Sequence, residues 1–119
     1  HIGLMGASVG CSVAIDCARR DPRLNVVAAL TPGEKYLGVP TMEQLKEWGE
    51  RRLLVISSEE EASRGPRQVY ELLARQEAAK PELWLLPEKD VHGTRMFGKV
   101  KGLEGRLVEW FQTRLAPAP

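Results

Sequence analysis

The fold of this chain is decided by the stretch I-G-L-M-G-A-S-V-G, residues 2–10. Residues 2–5 form a short apolar run that is typical of a buried strand, and an amphipathic run typical of a helix begins at Cys11. Between them, glycines stand two positions before and two positions after a serine. This spacing predicts a sharp strand-to-helix turn with Ser8 at its tip. We expect Gly6 and Gly10 to be glycines because a Cβ atom at either position would clash in so tight a turn.

Ser8 therefore has two interpretations. The pattern G-x-S-x-G between a strand and a helix is typical of a nucleophilic serine. The helix that follows would direct its first N–H groups back toward Ser8, where the negative charge of an oxyanion would develop. The alternative is a structural serine that only caps the helix.

Strands and helices alternate along the rest of the chain. Apolar runs predict strands at 2–5, 25–30, 53–57 and 83–86, and apolar spacing of three and four residues predicts helices at 11–20, 42–50, 64–79 and 103–115. Thr41 is expected to be the N-cap of the second helix, and Pro66 is expected in the first turn of the third. The strands are apolar on both faces, which favours a parallel sheet of four strands in sequential order with helices on both sides. The predicted fold is a three-layer α/β/α domain.

Polar residues follow each predicted strand, and the carboxyl ends of parallel strands meet at one edge of a sheet. Ser8 follows the first strand, Thr31 the second, the carboxylates Glu59, Glu60 and Glu61 the third, and His92 the fourth. Serine, carboxylate and histidine in this chain order are the components of a nucleophilic triad.

Each of the later residues also has a structural alternative. His92 could instead be a histidine of a surface loop. The three glutamates could instead be a solvated cluster favoured by the dipole of the next helix. Asp90 lies only two positions from His92, so it is expected to be a turn residue rather than the acid. His1 is expected to have no functional role.

The composition is that of an ordinary globular protein, and we expect residues 1–119 to form a single domain. Of the 119 residues, 43% are hydrophobic and 28% charged, with a net charge of +1, which argues against disorder or a nucleic-acid partner. No apolar run approaches the roughly 20 residues that cross a bilayer, so no membrane partner is expected. No spacing resembles a metal site, and neither a metal nor a cofactor is predicted.

The two cysteines lie on the first predicted helix, where both are expected in the core. Cys11 and Cys17 are six residues apart, or about 9 Å along a helix axis, so they cannot form a disulfide with each other. Free thiols fit a reducing environment, and a cytoplasmic location is expected.

Taken together, several motifs resemble the C-terminal half of an α/β-hydrolase, with a spacing similar to that of bacterial dienelactone hydrolases and esterases. The resemblance runs from residue 2 to about residue 115. It rests on G-A-S-V-G (6–10), D-P-R-L-N-V-V-A-A-L-T-P-G (21–33), Y-L-G-V-P-T (36–41), L-L-V-I-S-S-E-E-E (53–61) and V-H-G-T-R-M-F (91–97).

The resemblance implies a role for each site residue. It makes Ser8 the nucleophile, His92 the general base and Glu61, the third residue after Ser58, the triad acid. Most relatives have aspartate at the position of Glu61, so Glu60 and Glu59 remain alternative acids. The N–H of Val9 would donate to the oxyanion, whereas the family's second oxyanion donor comes from a loop after an early strand that this sequence does not contain.

The implied activity is hydrolysis of a small-molecule ester or thioester by a Ser-His-Glu triad. The resemblance also implies that the chain is the C-terminal portion of a larger α/β-hydrolase, with a partial sheet, so the isolated chain is expected to be a poor catalyst. The first strand would be central in a complete sheet. We therefore expect the chain to pair its exposed edge with a second copy as a homodimer, to swap an element with another copy, or to exist only beside the missing N-terminal half. The alternative from another class is a non-catalytic α/β module that uses this edge for partner binding or self-association.

Overall fold

The computed structural model of the protein describes residues 2–34 and 40–115. The expected loop of residues 32–40 therefore falls partly, and His1 wholly, outside the described residues. Strands and α-helices alternate up to β4, which two helices follow: β1 (Leu4–Ala7), α1 (Val9–Arg20), β2 (Val26–Leu30), α2 (Thr41–Gln44), β3 (Arg52–Ser58), α3 (Pro66–Ala74), β4 (Glu82–Leu86), α4 (Met96–Lys99) and α5 (Leu103–Leu115). Among the helices of this described part, none is long and apolar enough to cross a membrane.

The four strands form one sheet in the order β1-β2-β3-β4, and every neighbouring pair is parallel. The last residue of β1, Ala7, is in register with Leu30 at the end of β2, and Leu30 is in register with Ile56 of β3. The carboxyl ends of the strands therefore lie along one edge. The predicted α/β fold with four parallel strands in sequential order is confirmed.

Two apolar clusters cover the two faces of the sheet, because successive strand residues point to opposite sides. Val27 and Ala29 of β2 pack into the cluster that includes α1 and α3. Val26, Ala28 and Leu30 pack into the cluster that includes α5. All five residues of β2 are buried, which explains why this strand is apolar throughout. The result is a helix–sheet–helix arrangement of three layers.

The first helix, α1, begins earlier than predicted. β1 extends to Ala7, and α1 starts at Val9 rather than at residue 11. The buried face of α1 consists of Cys11, Ser12, Ala14, Ile15 and Ala18. The expectation that Cys17 lies in the core is wrong, because Cys17 is exposed on the other side of the helix.

The second helix is shorter than predicted. α2 ends at Gln44 instead of residue 50, and its N-cap is Pro40 rather than Thr41. The side chain of Gln76 explains the early end. Its Oε1 accepts a hydrogen bond from the Trp48 N–H (3.2 Å), and its Nε2 donates to the Leu45 carbonyl (2.6 Å). These tertiary hydrogen bonds replace helical ones beyond Gln44.

The third predicted helix is divided at Gly65. Ala62–Arg64 form a 3₁₀ turn, and α3 begins at Pro66, which confirms the prediction of a proline in the first turn. Gly65 has a φ of 144°, and a Cβ atom there would lie 2.9 Å from both the Gly33 Cα and the Pro32 carbonyl oxygen. This close approach to the segment after β2 interrupts the helix. At its other end α3 stops at Ala74, short of the predicted residue 79.

Candidate active site

Ser8 lies immediately beyond the end of β1 in a strained conformation. Its φ and ψ are 55° and −120°, in a region that non-glycine residues rarely adopt. Its N–H donates to the carbonyl of Leu30 (2.9 Å), and its own carbonyl accepts from the N–H of Cys11 (3.0 Å). These backbone hydrogen bonds hold Ser8 at the tip of the turn between β1 and α1. Such strain is characteristic of functional sites.

The two glycines of the turn have different roles. A Cβ atom on Gly6 would lie 2.5 Å from the carbonyl carbon of Gly10 and 2.8 Å from the Cys11 nitrogen, so only glycine fits there. A Cβ atom on Gly10 would meet no atom within 4 Å. The expectation that Gly10 is required by a clash is therefore wrong, because its missing side chain would point into open space.

The side chains of Ser8, His92 and Glu61 form a continuous hydrogen-bonded chain. His92 Nε2 lies 2.9 Å from Ser8 Oγ, and His92 Nδ1 lies 2.7 Å from Glu61 Oε2. Ser8 makes no side-chain capping hydrogen bond to α1, so the helix-cap alternative is wrong. The Glu61 side chain is 20% exposed and that of His92 41%, so the carboxylate is the more sheltered end of the chain. This is the geometry that activates a serine hydroxyl.

The structure separates the three consecutive glutamates. The Glu60 carboxylate accepts a hydrogen bond from the Asp90 N–H (2.7 Å), in the turn that precedes His92. Glu59 is exposed, and its N–H continues the sheet by donating to the Leu86 carbonyl (2.8 Å). Only Glu61 meets the imidazole. The expectation of a solvated carboxylate fits Glu59, and the alternative acids Glu60 and Glu59 are not brought to His92.

The turn that carries His92 is held by ion pairs. Asp90 has a φ of 57°, as expected for a turn residue, and its carboxylate contacts Arg95 (2.7 Å) and Lys99 (2.9 Å). The hydrogen bond from Lys99 and the positive charges of Lys99 and Arg95 lower the pKa of Asp90. The helical segment after His92, a 3₁₀ turn at Gly93–Arg95 followed by α4, was not predicted from the sequence.

Two residues that support the site have contacts that the sequence did not reveal. Cys11 Sγ lies 3.3 Å from the Gly6 carbonyl and 3.2 Å from the Leu30 carbonyl, so the thiol is hydrogen-bonded within the turn. Burial raises the pKa of Cys11 to about 12, which keeps the thiol protonated and excludes it as a nucleophile. Thr31 Oγ1 accepts a hydrogen bond from the Gly93 N–H (3.0 Å), next to His92. The only sequence signal for Thr31 was its place after the second strand.

Val9 occupies the position expected of an oxyanion donor. It is the first residue of α1 and follows Ser8 directly. The N–H of Val9 is at the first helical position and has no carbonyl partner within the helix, so it is available to an acceptor in front of the helix. The partial positive charge at this helix end also favours an anion there.

A cavity of about 230 Å³ adjoins the Glu61–His92 pair at the carboxyl edge of the sheet. Its walls are formed by Thr31, Pro32, Glu61, Arg64, Pro66 and His92.

Within residues 2–34 and 40–115, no group of three or more histidine, cysteine, aspartate or glutamate side chains is arranged to hold a metal ion.

Comparisons with protein-family models, with curated proteins and with solved structures gave no match to this chain.

Proposed function

We propose that this protein is a serine hydrolase that transfers the acyl group of a small-molecule ester or thioester to water. The observation that carries this proposal is the chain Ser8–His92–Glu61, with hydrogen bonds of 2.9 and 2.7 Å. Its support is the combination of three features: a strained serine at a strand-to-helix turn, a base in contact with its hydroxyl, and a carboxylate behind the base.

In the first half-reaction the hydroxyl oxygen of Ser8 attacks the carbonyl carbon of the substrate. His92 Nε2 takes the hydroxyl proton as the new C–O bond forms, and the carbonyl electrons move to the oxygen. The Glu61 carboxylate holds the Nδ1–H of His92, which fixes the tautomer and stabilises the imidazolium. The tetrahedral intermediate then collapses, and His92 returns its proton to the departing alcohol or thiol.

In this reaction the backbone N–H of Val9 is the hydrogen-bond donor to the oxyanion. Val9 is the first residue of α1 and follows Ser8 directly, so its N–H, at the positive end of the helix, would donate to the oxygen that becomes negative. In the second half-reaction His92 takes a proton from water, which attacks the acyl–Ser8 ester. Collapse of the second intermediate releases the carboxylic acid and restores the Ser8 hydroxyl.

We further propose that the chain corresponds to the C-terminal portion of an α/β-hydrolase and acts in the cytoplasm. The relationship to α/β-hydrolases is supported by the strand order and by the placement of Ser8, Glu61 and His92 after β1, β3 and β4. The cytoplasmic location is supported by Cys11 and Cys17, which are both free thiols.

A fluorophosphonate probe tests the proposed nucleophile. We expect the probe to label the folded chain covalently, because the serine hydroxyl attacks phosphorus as it attacks a carbonyl. Ser8→Ala should abolish labelling, whereas Ser63→Ala, which removes an exposed serine of the 3₁₀ turn after β3, should leave it unchanged. Labelling that persists in Ser8→Ala, or a folded chain that the probe does not label, would contradict the proposal.

A second candidate function is that of an interaction module, which the free edge of the sheet favours. Within the part of the chain that the structure describes, β1 has a neighbouring strand on one side only, and Ile2 and Met5 are 63% and 50% exposed. Beside this strand lies an apolar groove of about 590 Å³ lined by side chains that include Met5, Phe97 and Phe111. An unpaired apolar edge of this kind associates readily with another strand. We propose a second copy of this chain as its partner.

A further inference from the structure

The residue after β2, Thr31, is held in an unusual backbone conformation. Its φ is 55°, which is a strong outlier for a β-branched side chain, and the residue is 3% exposed. The N–H of Thr31 donates to the carbonyl of Ile56 in β3 (2.7 Å), so the neighbouring strand fixes its backbone. A conformation of this energy persists only where the surrounding structure enforces it.

The hydroxyl of Thr31 is directed at the residue that follows the proposed base. Oγ1 accepts the backbone N–H of Gly93 at 3.0 Å, and both residues are buried. Gly93 itself has a φ of 57° and packs against the nucleophile turn. A Cβ atom on Gly93 would lie 3.7 Å from the Ala7 Cβ and 3.9 Å from the Ser8 Cβ. Gly93 is thus placed between Thr31 and the strand that carries the nucleophile.

We infer that Thr31 is a positioning residue for His92: its hydroxyl anchors the Gly93 amide so that the imidazole reaches Ser8 and Glu61 at once. This inference rests on the proposed function of the same site. His92 is attached to Gly93 by one peptide bond, so a shift of the Gly93 amide moves the ring. The ion pairs of Asp90 and the hydrogen bond of its N–H to Glu60 lie on the exposed turn before His92, where such contacts contribute little, while the neighbouring Val91 side chain is packed in the core. The Thr31 hydrogen bond is the buried one.

Two substitutions of Thr31 distinguish the effect of its hydroxyl group from the effect of its side-chain shape. Thr31→Val keeps the branched shape and removes the acceptor, whereas Thr31→Ser keeps the acceptor. A displacement of about 1 Å can reduce a reaction rate by about 100-fold. We therefore expect the rate constant of fluorophosphonate labelling at Ser8 to fall about 10- to 100-fold in Thr31→Val and to stay within about 3-fold of the original chain in Thr31→Ser. Circular dichroism at the assay temperature would verify that both variants are folded.

A second measurement does not depend on catalysis. The Nδ1 proton of His92, shared with Glu61, should give a downfield proton resonance in the NMR spectrum, and His92→Gln would assign it. We expect this resonance to persist in Thr31→Ser and to be lost or broadened in folded Thr31→Val. An original chain that shows the resonance but is not labelled by the probe would contradict the proposed hydrolase activity. In that case, loss of the resonance in Thr31→Val would still support the positioning role of Thr31. Unchanged labelling or an unchanged resonance in Thr31→Val would overturn that role, as would equal losses in both variants.

Discussion

His92 Nδ1 lies 2.7 Å from Glu61 Oε2, although 31 positions of sequence separate the two residues. The contact is made because β3 and β4 are neighbouring parallel strands and both residues lie beyond their carboxyl ends. A 3₁₀ turn begins directly after Glu61, and the N–H of Glu61 donates to Ser58 Oγ (3.2 Å) and to the Ser58 carbonyl (3.3 Å) rather than to a neighbouring strand. The local turn thereby selects one of three consecutive glutamates to face the imidazole.

Glu61→Gln should reduce the proposed hydrolysis by about 10³- to 10⁴-fold with little change in fold. An amide at this position no longer stabilises the imidazolium, and its NH₂ group can favour the wrong tautomer of His92. The measurement is the rate of probe labelling or of hydrolysis of an activated ester. Glu59→Gln is the matched control, because Glu59 is exposed and does not contact His92, and its rate should stay close to that of the original chain. Equal losses in the two variants would argue against Glu61 as the acid.

Gly6→Ala should destabilise the fold by about 3 kcal/mol or more, because the added methyl group would meet backbone atoms of Gly10 and Cys11 that cannot rotate away. Gly10→Ala is the control in the same turn. Its methyl group meets open space, and alanine favours helix over glycine, so stability should rise by about 0.5 kcal/mol. Urea denaturation measures both changes. A Gly6→Ala variant as stable as the original would show that the turn adjusts more easily than its geometry implies.

The two thiols should differ sharply in reactivity. Cys17 is exposed, whereas Cys11 is buried with a pKa of about 12, so at pH 8 almost none of Cys11 is thiolate. Iodoacetamide should therefore add one group to the folded chain, detected by mass spectrometry, and two groups after denaturation. Cys17→Ala should remain unmodified until it is unfolded. Rapid modification of Cys11 in the folded chain would mean that the turn opens readily.

The edge of β1 should make the chain associate with itself. Met5 is 50% exposed on this strand, so Met5→Arg places a charge on the edge at little cost to the core, and it should shift the chain toward monomer in sedimentation velocity. Leu85→Arg is the matched control, because Leu85 is 37% exposed on β4, the strand at the opposite edge. An original chain that sediments as a monomer at all concentrations, or an equal effect of the two substitutions, would contradict association through β1.

Local sequence predicted the elements that depend on local physics. Apolar runs bounded by Gly, Pro and Asp gave all four strands within two residues, and the apolar stripe gave α5 at its observed bounds. The parallel pairing of the strands followed from their apolar residues on both faces, because strands of this kind belong to parallel sheets. The positions of Ser8, Glu61 and His92 along one edge followed from that topology.

Tertiary contacts decided the features that the sequence left open or indicated wrongly. The side chain of Gln76 ends α2 early, and the close approach of Gly65 to Pro32 divides the third predicted helix. Neither contact could be predicted from local sequence, because each joins residues that are distant along the chain. The choice of Glu61 over its two neighbours depends on the turn after β3, in which the Glu61 N–H donates to Ser58 Oγ. The amino-acid sequence by itself thus determined which chemical groups follow each strand. Only the packed structure decided which of them meet, because hydrogen-bond geometry is set by the relative placement of whole strands and turns.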